Sequence, residues 1–327
     1  TLMKNRRHFL QQSAFAGMGL LFAKNGFASS MLSLYNPNSK IKGVQIGVIT
    51  YSFRSMPGSA QELLQYCKDA GISAIELMGD PAETFAGSPV GPMDMKNITS
   101  REQFIKLMDE RNVVARAWRE TASISKFVEL RKMFNDAGIT IYAYKPDQAL
   151  TPKSSDAEIN FAMRAAKALG AKSVTVELPE SLEHSKRLGE LGAKNQVYVG
   201  YHAHTQATDT LWDAALAQSP YNSINLDCGH YIAAGGANTK ETLIAFINKH
   251  HDRITSMHIK DRQNGAKGGK NMPWGEGDTP LKEVLSLLRD KKYAIPATIE
   301  LEYDIPAGSN AVEETKKCFA YAKSVLM

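Results

Sequence analysis

The sequence predicts an α/β fold in which a single domain forms a (β/α)8 barrel, and two observations support this prediction. Short β-type runs alternate with amphipathic helical segments through most of the chain, a pattern typical of parallel strands covered by helices. There are eight such runs, the number that closes this kind of barrel. The predicted strands are residues 44–50, 72–77, 139–144, 172–177, 197–202, 223–227, 254–259 and 297–302.

The main alternative is an open, doubly wound sheet, but no glycine-rich phosphate loop follows the first predicted strand. Helix signals between the strands agree with a barrel. Ser59 with Glu62, and Ser155 with Glu158, have the spacing of capping boxes, in which each end satisfies an otherwise unpaired backbone amide. Gly71 follows the first helical pattern, at a position where left-handed backbone is favoured.

One interval departs from the regular alternation. Between the second and third predicted strands, a stretch rich in Pro and Gly precedes a helical pattern that begins at Arg101. Residues 113–117 could form a ninth strand, but helical spacing continues up to them, so we interpret them as the end of that helix. The sequence therefore predicts an insertion between strands 2 and 3, which would overhang the catalytic face as part of a lid.

The composition is that of an ordinary globular protein, with 43% hydrophobic and 22% charged residues. The net charge is +5, but the first 28 residues contain four basic residues and no acidic ones, which leaves +1 for the remainder. No strongly basic surface is therefore expected for nucleic acid or anionic lipid. The three cysteines are far apart and odd in number, so no disulfide framework is expected.

The first 28 residues have the pattern of a twin-arginine export signal. Arg6 and Arg7 precede the apolar run 14–23, and small residues allow cleavage after Ala28. The run is shorter than the roughly 20 residues that span a bilayer, and a basic N-terminus without a targeting role is the alternative. We expect an exported, periplasmic protein with no membrane span. Its predicted parts are the signal at 1–28, a linker at 29–42 and the catalytic barrel domain at 43–327.

Four predicted strands end in an acidic or imidazole side chain: Glu177, Asp227, His258 and Glu300. In a barrel of parallel strands, the carboxyl ends of the strands meet at one face, where catalytic groups collect. Three carboxylates and one imidazole suit a hard or borderline divalent cation, and the set does not choose between Mn²⁺, Mg²⁺, Co²⁺ and Zn²⁺. The absence of Cys from the set argues against a structural zinc site.

With further histidines and a lysine near the same strand ends, this pattern resembles the sugar phosphate isomerase/epimerase family, also called the xylose isomerase-like TIM barrels. The resemblance covers roughly residues 44–325 and is most specific from 172 onward. The motifs that carry it are Glu177, the pair His202 and His204, Asp227 with His230, His258 with Lys260 and Asp261, Glu300, and the loop at 273–277.

By this resemblance, Glu177, Asp227, His258 and Glu300 bind one divalent metal ion. The resemblance also implies that Glu177 and Glu300 are the catalytic pair, on opposite faces of a sugar. One would remove a proton beside a carbonyl and the other would return it, through a metal-stabilised enediolate. Glu302 lies two residues after Glu300 and faces the same way, so the last ligand could be either glutamate. Glu76 could anchor substrate or pair with a cation of the barrel.

The resemblance also implies substrate contacts, each with a structural alternative. His230 matches a position that hydrogen-bonds a substrate oxygen, or it could orient a neighbouring carboxylate. His202 and His204 should point to one face, one toward substrate and one behind it. The lysines could equally be solvated or paired with rim carboxylates, and the tryptophan could pack within its loop. The remaining predicted substrate-binding residues are Lys145, Lys260, Arg262 and Trp274.

The sequence therefore predicts a metal-dependent epimerase or isomerase of a sugar or keto-sugar, with a lyase or dehydratase as the alternative. A non-catalytic sugar-binding barrel is less favoured, because all four ligand positions are intact. A DNA-repair endonuclease is disfavoured, because the first three predicted strands supply no histidine. An exported location argues against sugar phosphates as substrates. Relatives of this kind often form dimers, so a homodimer is possible.

Overall fold

The computed structural model describes residues 36–91 and 98–327, and the predicted export signal lies outside them. Eight parallel strands form one sheet, and their positions match the eight predicted runs closely. None of the helices in the described part of the chain is long and apolar enough to cross a lipid bilayer. The strands are β1 (Val44–Ile49), β2 (Ala74–Met78), β3 (Thr140–Lys145), β4 (Ser173–Glu177), β5 (Tyr198–His202), β6 (Asn222–Asp227), β7 (Ile254–Ile259) and β8 (Ala297–Ile299).

The sheet closes on itself, because β1 pairs with β2 on one side and with β8 on the other. This closure confirms the (β/α)8 barrel and excludes the open, doubly wound alternative. A two-residue strand, Lys40–Ile41, pairs antiparallel with the start of β1, so part of the predicted linker joins the sheet. The strand β8 has only three residues, so Glu300 lies one residue beyond its end.

Helices cover the outside of the barrel between successive strands. Both predicted capping boxes are present, Ser59 with Glu62 and Ser155 with Glu158, and Gly71 takes left-handed backbone with φ of 73°. The helices are α1 (Ala60–Ala70), α2 (Gly79–Phe85), α3 (Arg101–Thr121), α4 (Ser125–Asp136), α5 (Asp156–Leu169), α6 (Leu182–Asn195), α7 (Asp213–Gln218), α8 (Cys228–Ala234), α9 (Lys240–His250), α10 (Leu281–Lys291) and α11 (Ala311–Leu326).

The predicted insertion between β2 and β3 contains α2 and α3, and α4 follows it before β3. Residues 113–117 lie within α3, as expected from their helical spacing. Arg119 of α3 attaches this helix to the barrel through buried ion pairs, with Glu83 of α2 at 2.8 Å and Glu158 of α5 at 3.5 Å. These contacts join the insertion to the outer helices, and its predicted role as a lid stays a prediction.

The barrel interior is partly polar. The hydroxyls of Tyr142 on β3 and Thr298 on β8 lie 2.6 Å apart, although these strands are not neighbours. Gly47 on β1 makes room for this contact, because a Cβ there would meet the Tyr142 hydroxyl at 2.6 Å. The aliphatic core therefore lies mainly between the outer faces of the strands and the helices, and the interior keeps space for polar groups toward the strand ends.

Candidate active site

The register of the strands brings the predicted site residues to neighbouring positions. Asp227 at the end of β6 is opposite His258 on β7, and Glu177 at the end of β4 is opposite His202 on β5. Side chains at such paired positions of parallel strands point to the same face of the sheet. His258 contacts Glu76 on a strand that is not its neighbour, which identifies that face as the barrel interior, and these residues meet at its carboxyl end.

The imidazole of His258 connects two carboxylates. Its Nε2–H donates to Oε2 of Glu76 at 2.8 Å, and its Nδ1 lies 2.9 Å from Oε2 of Glu300. Burial by itself lowers the pKa of His258, but the two carboxylates outweigh burial and raise the pKa to about 10. In the ion-free protein, this imidazole is therefore positively charged.

Asp227 ends β6 and also caps α8. Its Oδ1 accepts from the backbone N–H of His230 at 2.6 Å, which fixes the carboxylate. Its other oxygen, Oδ2, lies 3.8 Å from Nδ1 of His258 and 3.1 Å from Nζ of Lys260. Burial opposes the charged form, but Lys260 and His230 hold the pKa of Asp227 below its ordinary value.

Three buried atoms at this point suit a metal ion. Asp227 Oδ2, His258 Nδ1 and Glu300 Oε2 have no well-aligned hydrogen bond among the described residues, although they lie close to charged groups. His258 Nδ1 is 2.9 Å from the Glu300 oxygen and 3.8 Å from the Asp227 oxygen. Both separations are below the roughly 4 Å between opposite ligands of a cation with bonds of about 2.1 Å. The residues present therefore fit a small divalent cation.

The ammonium of Lys260 lies within the same group of carboxylates. Its Nζ is 2.8 Å from Glu300 Oε2, 3.1 Å from Asp227 Oδ2 and 2.6 Å from Glu302 Oε2. It also donates to Nε2 of His230 at 3.0 Å. Burial alone lowers the pKa of Lys260, but the three carboxylates raise it above its ordinary value. Lys260 is therefore charged and buried, with a side chain only 2% exposed.

The two C-terminal glutamates differ in their surroundings. Glu300 is buried and contacts His258, whereas Glu302 is 25% exposed and contacts Lys260. Burial raises the pKa of Glu300, but Lys260 and His258 hold it well below its ordinary value. Of the two, Glu300 lies closer to the group formed by Asp227 and His258, which favours it as the last metal ligand.

Glu177 has a different environment from the other predicted ligands. Its side chain is 47% exposed, with Oε1 at 3.3 Å from Lys145 Nζ and Oε2 at 3.9 Å from His204 Nδ1. Burial opposes the charged form, but His202, Lys145 and His204 hold the pKa of Glu177 below its ordinary value. Its side-chain contacts among the described residues are with Lys145 and His204 at the rim. Binding a metal beside Asp227 would require its carboxylate to turn inward.

His202 is held in one tautomer by Asn225. Its Nδ1–H donates to Oδ1 of Asn225 at 2.8 Å, which leaves the lone pair of Nε2 free. Burial and the charge of His258 lower the pKa of His202, so the ring is neutral. Ligand atoms of His202, Asp227 and His258 lie within 4.8 Å of one another, as do those of His202, His204 and His230. His202 is therefore a further candidate ligand that the predicted metal set does not contain.

The remaining predicted substrate-binding residues surround this group to different degrees. Burial and the neighbouring Lys260 lower the pKa of His230 to about 3, and the Arg262 guanidinium lies against its Nδ1. Lys145 pairs with Asp147 as well as with Glu177. The Trp274 ring packs edge-on against Tyr321 of the outer helix α11, with ring centroids 5.9 Å apart.

Sequence reasoning gave little or no role to three residues that organise the site. Glu76 orients His258, and Asn225 orients His202 while also donating to Ser256. Asp261 accepts backbone N–H groups from Gly275, Gly277 and Thr279, and so fixes the loop that contains Trp274. Asn225 could have been found from the sequence, because it lies two residues before Asp227 on the same strand and therefore faces the same side of the sheet. Contacts across the barrel and between distant loops leave no local pattern.

The chain belongs to the xylose isomerase-like TIM barrel family, whose model matches residues 64–321. This agrees with the resemblance found in the sequence motifs. Among curated proteins, inosose dehydratases are similar to it. The one from Lactiplantibacillus plantarum is 28% identical in an alignment of 171 residues, which covers 46% of this chain and 54% of the relative. The one from Clostridium beijerinckii is 26% identical in an alignment of 158 residues, which covers 42% of this chain and 51% of the relative.

The chain thus spans about half the length of the curated relatives it matches. Solved structures match nearly all of the barrel. A xylose isomerase domain protein from Planctomyces limnophilus has a TM-score of 0.58 at 15% identity, over 86% of this chain and 96% of that one. A sugar phosphate isomerase/epimerase from Parabacteroides distasonis has a TM-score of 0.56 at 18% identity, over 87% and 96%.

A third solved structure, of the IOLI protein, contains a bound zinc atom. It has a TM-score of 0.57 at 16% identity and covers 87% of this chain and 99% of that one. At these identities the solved structures show the fold and do not identify the reaction. The comparisons therefore establish the family and the architecture.

Proposed function

We propose that this protein is a divalent-metal-dependent lyase of the dehydratase type that acts on a keto-sugar or cyclic keto-polyol. The observation that supports this most directly is the meeting of Asp227 Oδ2, His258 Nδ1 and Glu300 Oε2, three buried atoms without aligned hydrogen bonds. The similarity to inosose dehydratases favours elimination over epimerisation. A bound divalent cation would polarise the carbonyl and hydroxyl oxygens of the substrate and lower the energy of developing negative charge.

Glu177 is the better candidate for the general base. Its carboxylate is half exposed and reaches the mouth of the barrel, whereas the Glu300 carboxylate is buried between the charged groups of Lys260 and His258. A carboxylate fixed by two cations is a poor acceptor of a further proton. Glu177 would therefore remove the proton beside the carbonyl, and Glu300 would mainly hold the metal and face the substrate.

The proposed elimination balances without an external oxidant. The C–H bond beside the carbonyl breaks and its proton goes to Glu177. The C–O bond at the β carbon then breaks, and the electron pair leaves with the oxygen, which takes the proton that Glu177 accepted and departs as water. Glu177 is thereby returned to its carboxylate form. His202 is neutral and the lone pair of its Nε2 is free, so it can hydrogen-bond a substrate hydroxyl during these steps. Both ring nitrogens of His230 contact cations, Lys260 and Arg262, so His230 would have to exchange one of these partners to contact substrate.

Epimerisation or isomerisation is the second candidate function, and the same site supports it. If no leaving group is present at the β carbon, the proton returns to the enediolate instead. Its return to the same carbon from the opposite face gives an epimer, and its return to the former carbonyl carbon gives an isomer. Glu300 would then be the second proton carrier, as the family resemblance implies. An exported location, which the first 28 residues predict, would favour free or oxidised sugars over sugar phosphates for either reaction.

The proposal is tested by incubating the Mn²⁺-loaded protein with an inosose and a panel of keto-sugars in deuterated water. NMR should show deuterium at the carbon beside the carbonyl and an unsaturated product that has lost one water. Exchange with an epimer or isomer as the only product would favour the second candidate. Absence of both exchange and product with every compound, with metal bound, would contradict the proposed chemistry.

A further inference from the structure

The ammonium of Lys260 contacts the oxygens that the proposed metal centre would use. Its Nζ lies 3.1 Å from Asp227 Oδ2 and 2.8 Å from Glu300 Oε2, and both oxygens lack a well-aligned hydrogen bond. The ammonium is buried and has few alternative partners. Among the described residues, the only other side chains that hydrogen-bond or pair with this ammonium are those of Glu302 and His230.

A divalent cation and this ammonium cannot share both oxygens without strong repulsion. A cation bound to the two oxygens would lie within a few ångströms of Nζ, and like charges that close interact by several kcal/mol even at an effective dielectric constant of about 20. The repulsion would be relieved if the ammonium left Asp227 and Glu300. Glu302 provides a place for it, because its carboxylate is the nearest of the three, at 2.6 Å, and is partly exposed.

We propose that Lys260 occupies the metal position in the ion-free protein and that a divalent cation binds by displacing its ammonium toward Glu302. This inference rests on the proposed function, since it concerns the same metal site. In the ion-free state, Lys260 and His258 together neutralise the buried carboxylates of Asp227 and Glu300. In the loaded state, it lowers metal affinity by the free energy of its displacement. Lys260 thereby sets the concentration of metal at which the enzyme becomes active.

The test is a titration of the chelator-treated protein with Mn²⁺, in which the EPR signal of the free ion reports binding without any substrate. Lys260→Met removes the charge and keeps a side chain of similar length. We expect it to bind Mn²⁺ at least about tenfold more tightly than the wild type. It should also have a lower melting temperature without metal and a larger gain in melting temperature when Mn²⁺ is added.

Lys267→Met is the control. It also removes one lysine charge from the segment after β7, but the Lys267 ammonium pairs with Asp278 and contacts neither of the two shared oxygens. We expect its Mn²⁺ affinity to change by less than about threefold. An equal gain in both variants would assign the effect to general electrostatics and would overturn the inference. Unchanged or weaker binding in Lys260→Met would overturn it as well.

The wild type provides a second measurement that does not depend on a variant folding. Crystal structures grown with chelator and with Mn²⁺ should show Nζ of Lys260 in contact with Asp227 and Glu300 only in the ion-free crystal. If Nζ keeps both contacts beside a bound ion, displacement is refuted. If Mn²⁺ binds neither the wild type nor Lys260→Met, the proposed metal function fails together with this inference. If the wild type binds but the displacement is not seen, only this inference fails.

Discussion

Nε2 of His258 lies 2.8 Å from Oε2 of Glu76, and this contact crosses the barrel from β7 to β2, two strands that are not neighbours. Both side chains are almost completely buried. The contact fixes the ring so that Nδ1 faces Asp227 and Glu300. It has the form of the carboxylate–histidine pairs that orient metal-binding imidazoles in other proteins.

Replacing Glu76 with Gln should therefore weaken metal binding without removing a ligand. The neutral amide cannot hold the imidazole as a carboxylate does, and we expect about 10–100-fold lower Mn²⁺ affinity by calorimetry. Glu83→Gln is the control, because Glu83 is also a buried carboxylate but lies on α2, paired with Arg119. Equal losses of affinity in the two variants would show that destabilisation, and not the orientation of His258, is responsible.

Glu177→Gln should reduce kcat by about 10²–10⁴-fold, since the amide cannot accept the proton from the substrate carbon. Its melting temperature should stay close to that of the wild type, because the side chain is half exposed. Glu180→Gln, an exposed change in the loop that follows β4, should leave kcat unchanged. Near-normal turnover of Glu177→Gln on the best substrate would remove Glu177 from its proposed role.

Metal removal should abolish activity and lower stability together. Chelation leaves the buried carboxylates with only Lys260 and His258 as counter-charges. A metal present at 100 times its dissociation constant adds about 2.7 kcal/mol to the free energy of unfolding. We expect one equivalent of Mn²⁺, Mg²⁺, Co²⁺ or Zn²⁺ to restore turnover and raise the melting temperature. Full activity in the presence of excess chelator, with no metal detected by elemental analysis, would contradict a metal-dependent reaction.

Arg119→Met should destabilise the protein by about 3–5 kcal/mol in urea denaturation, because it leaves Glu83 buried without its cation and Glu158 with Arg116 alone. Lys106→Met on the same helix is the control. Lys106 forms an exposed pair with Glu110 at 4.0 Å, and its loss should cost less than about 1 kcal/mol. A similar small loss for Arg119→Met would mean that the buried network does not hold the insertion to the barrel.

The three thiols should be unreactive in the folded protein. Cys67, Cys228 and Cys318 are all buried, and burial raises the pKa of each, that of Cys67 to about 12. A thiol-specific colorimetric reagent should detect no fast-reacting thiol at neutral pH and all three after denaturation. Rapid reaction of one thiol in the native protein would show that it is exposed.

The local pattern of the sequence was sufficient to predict the barrel. Each strand and helix has its own periodicity and cap, as Ser59 with Glu62 shows, and eight repeats of one unit leave few architectures. The long helix at Arg101–Thr121 was predictable for the same reason. The neighbouring positions of Asp227 and His258 also follow from the sequence, because each ends a strand and consecutive strands pair.

Only the tertiary structure decided which groups meet at the centre of the site. The sequence could not show that Lys260 lies between Asp227 and Glu300, that Glu177 turns toward Lys145, or that Glu76 reaches His258 across the barrel. The position of a residue at the end of a strand determines the end of the barrel at which it lies. The direction of each long side chain depends on charges contributed by distant strands, and these charges come together only when the barrel closes.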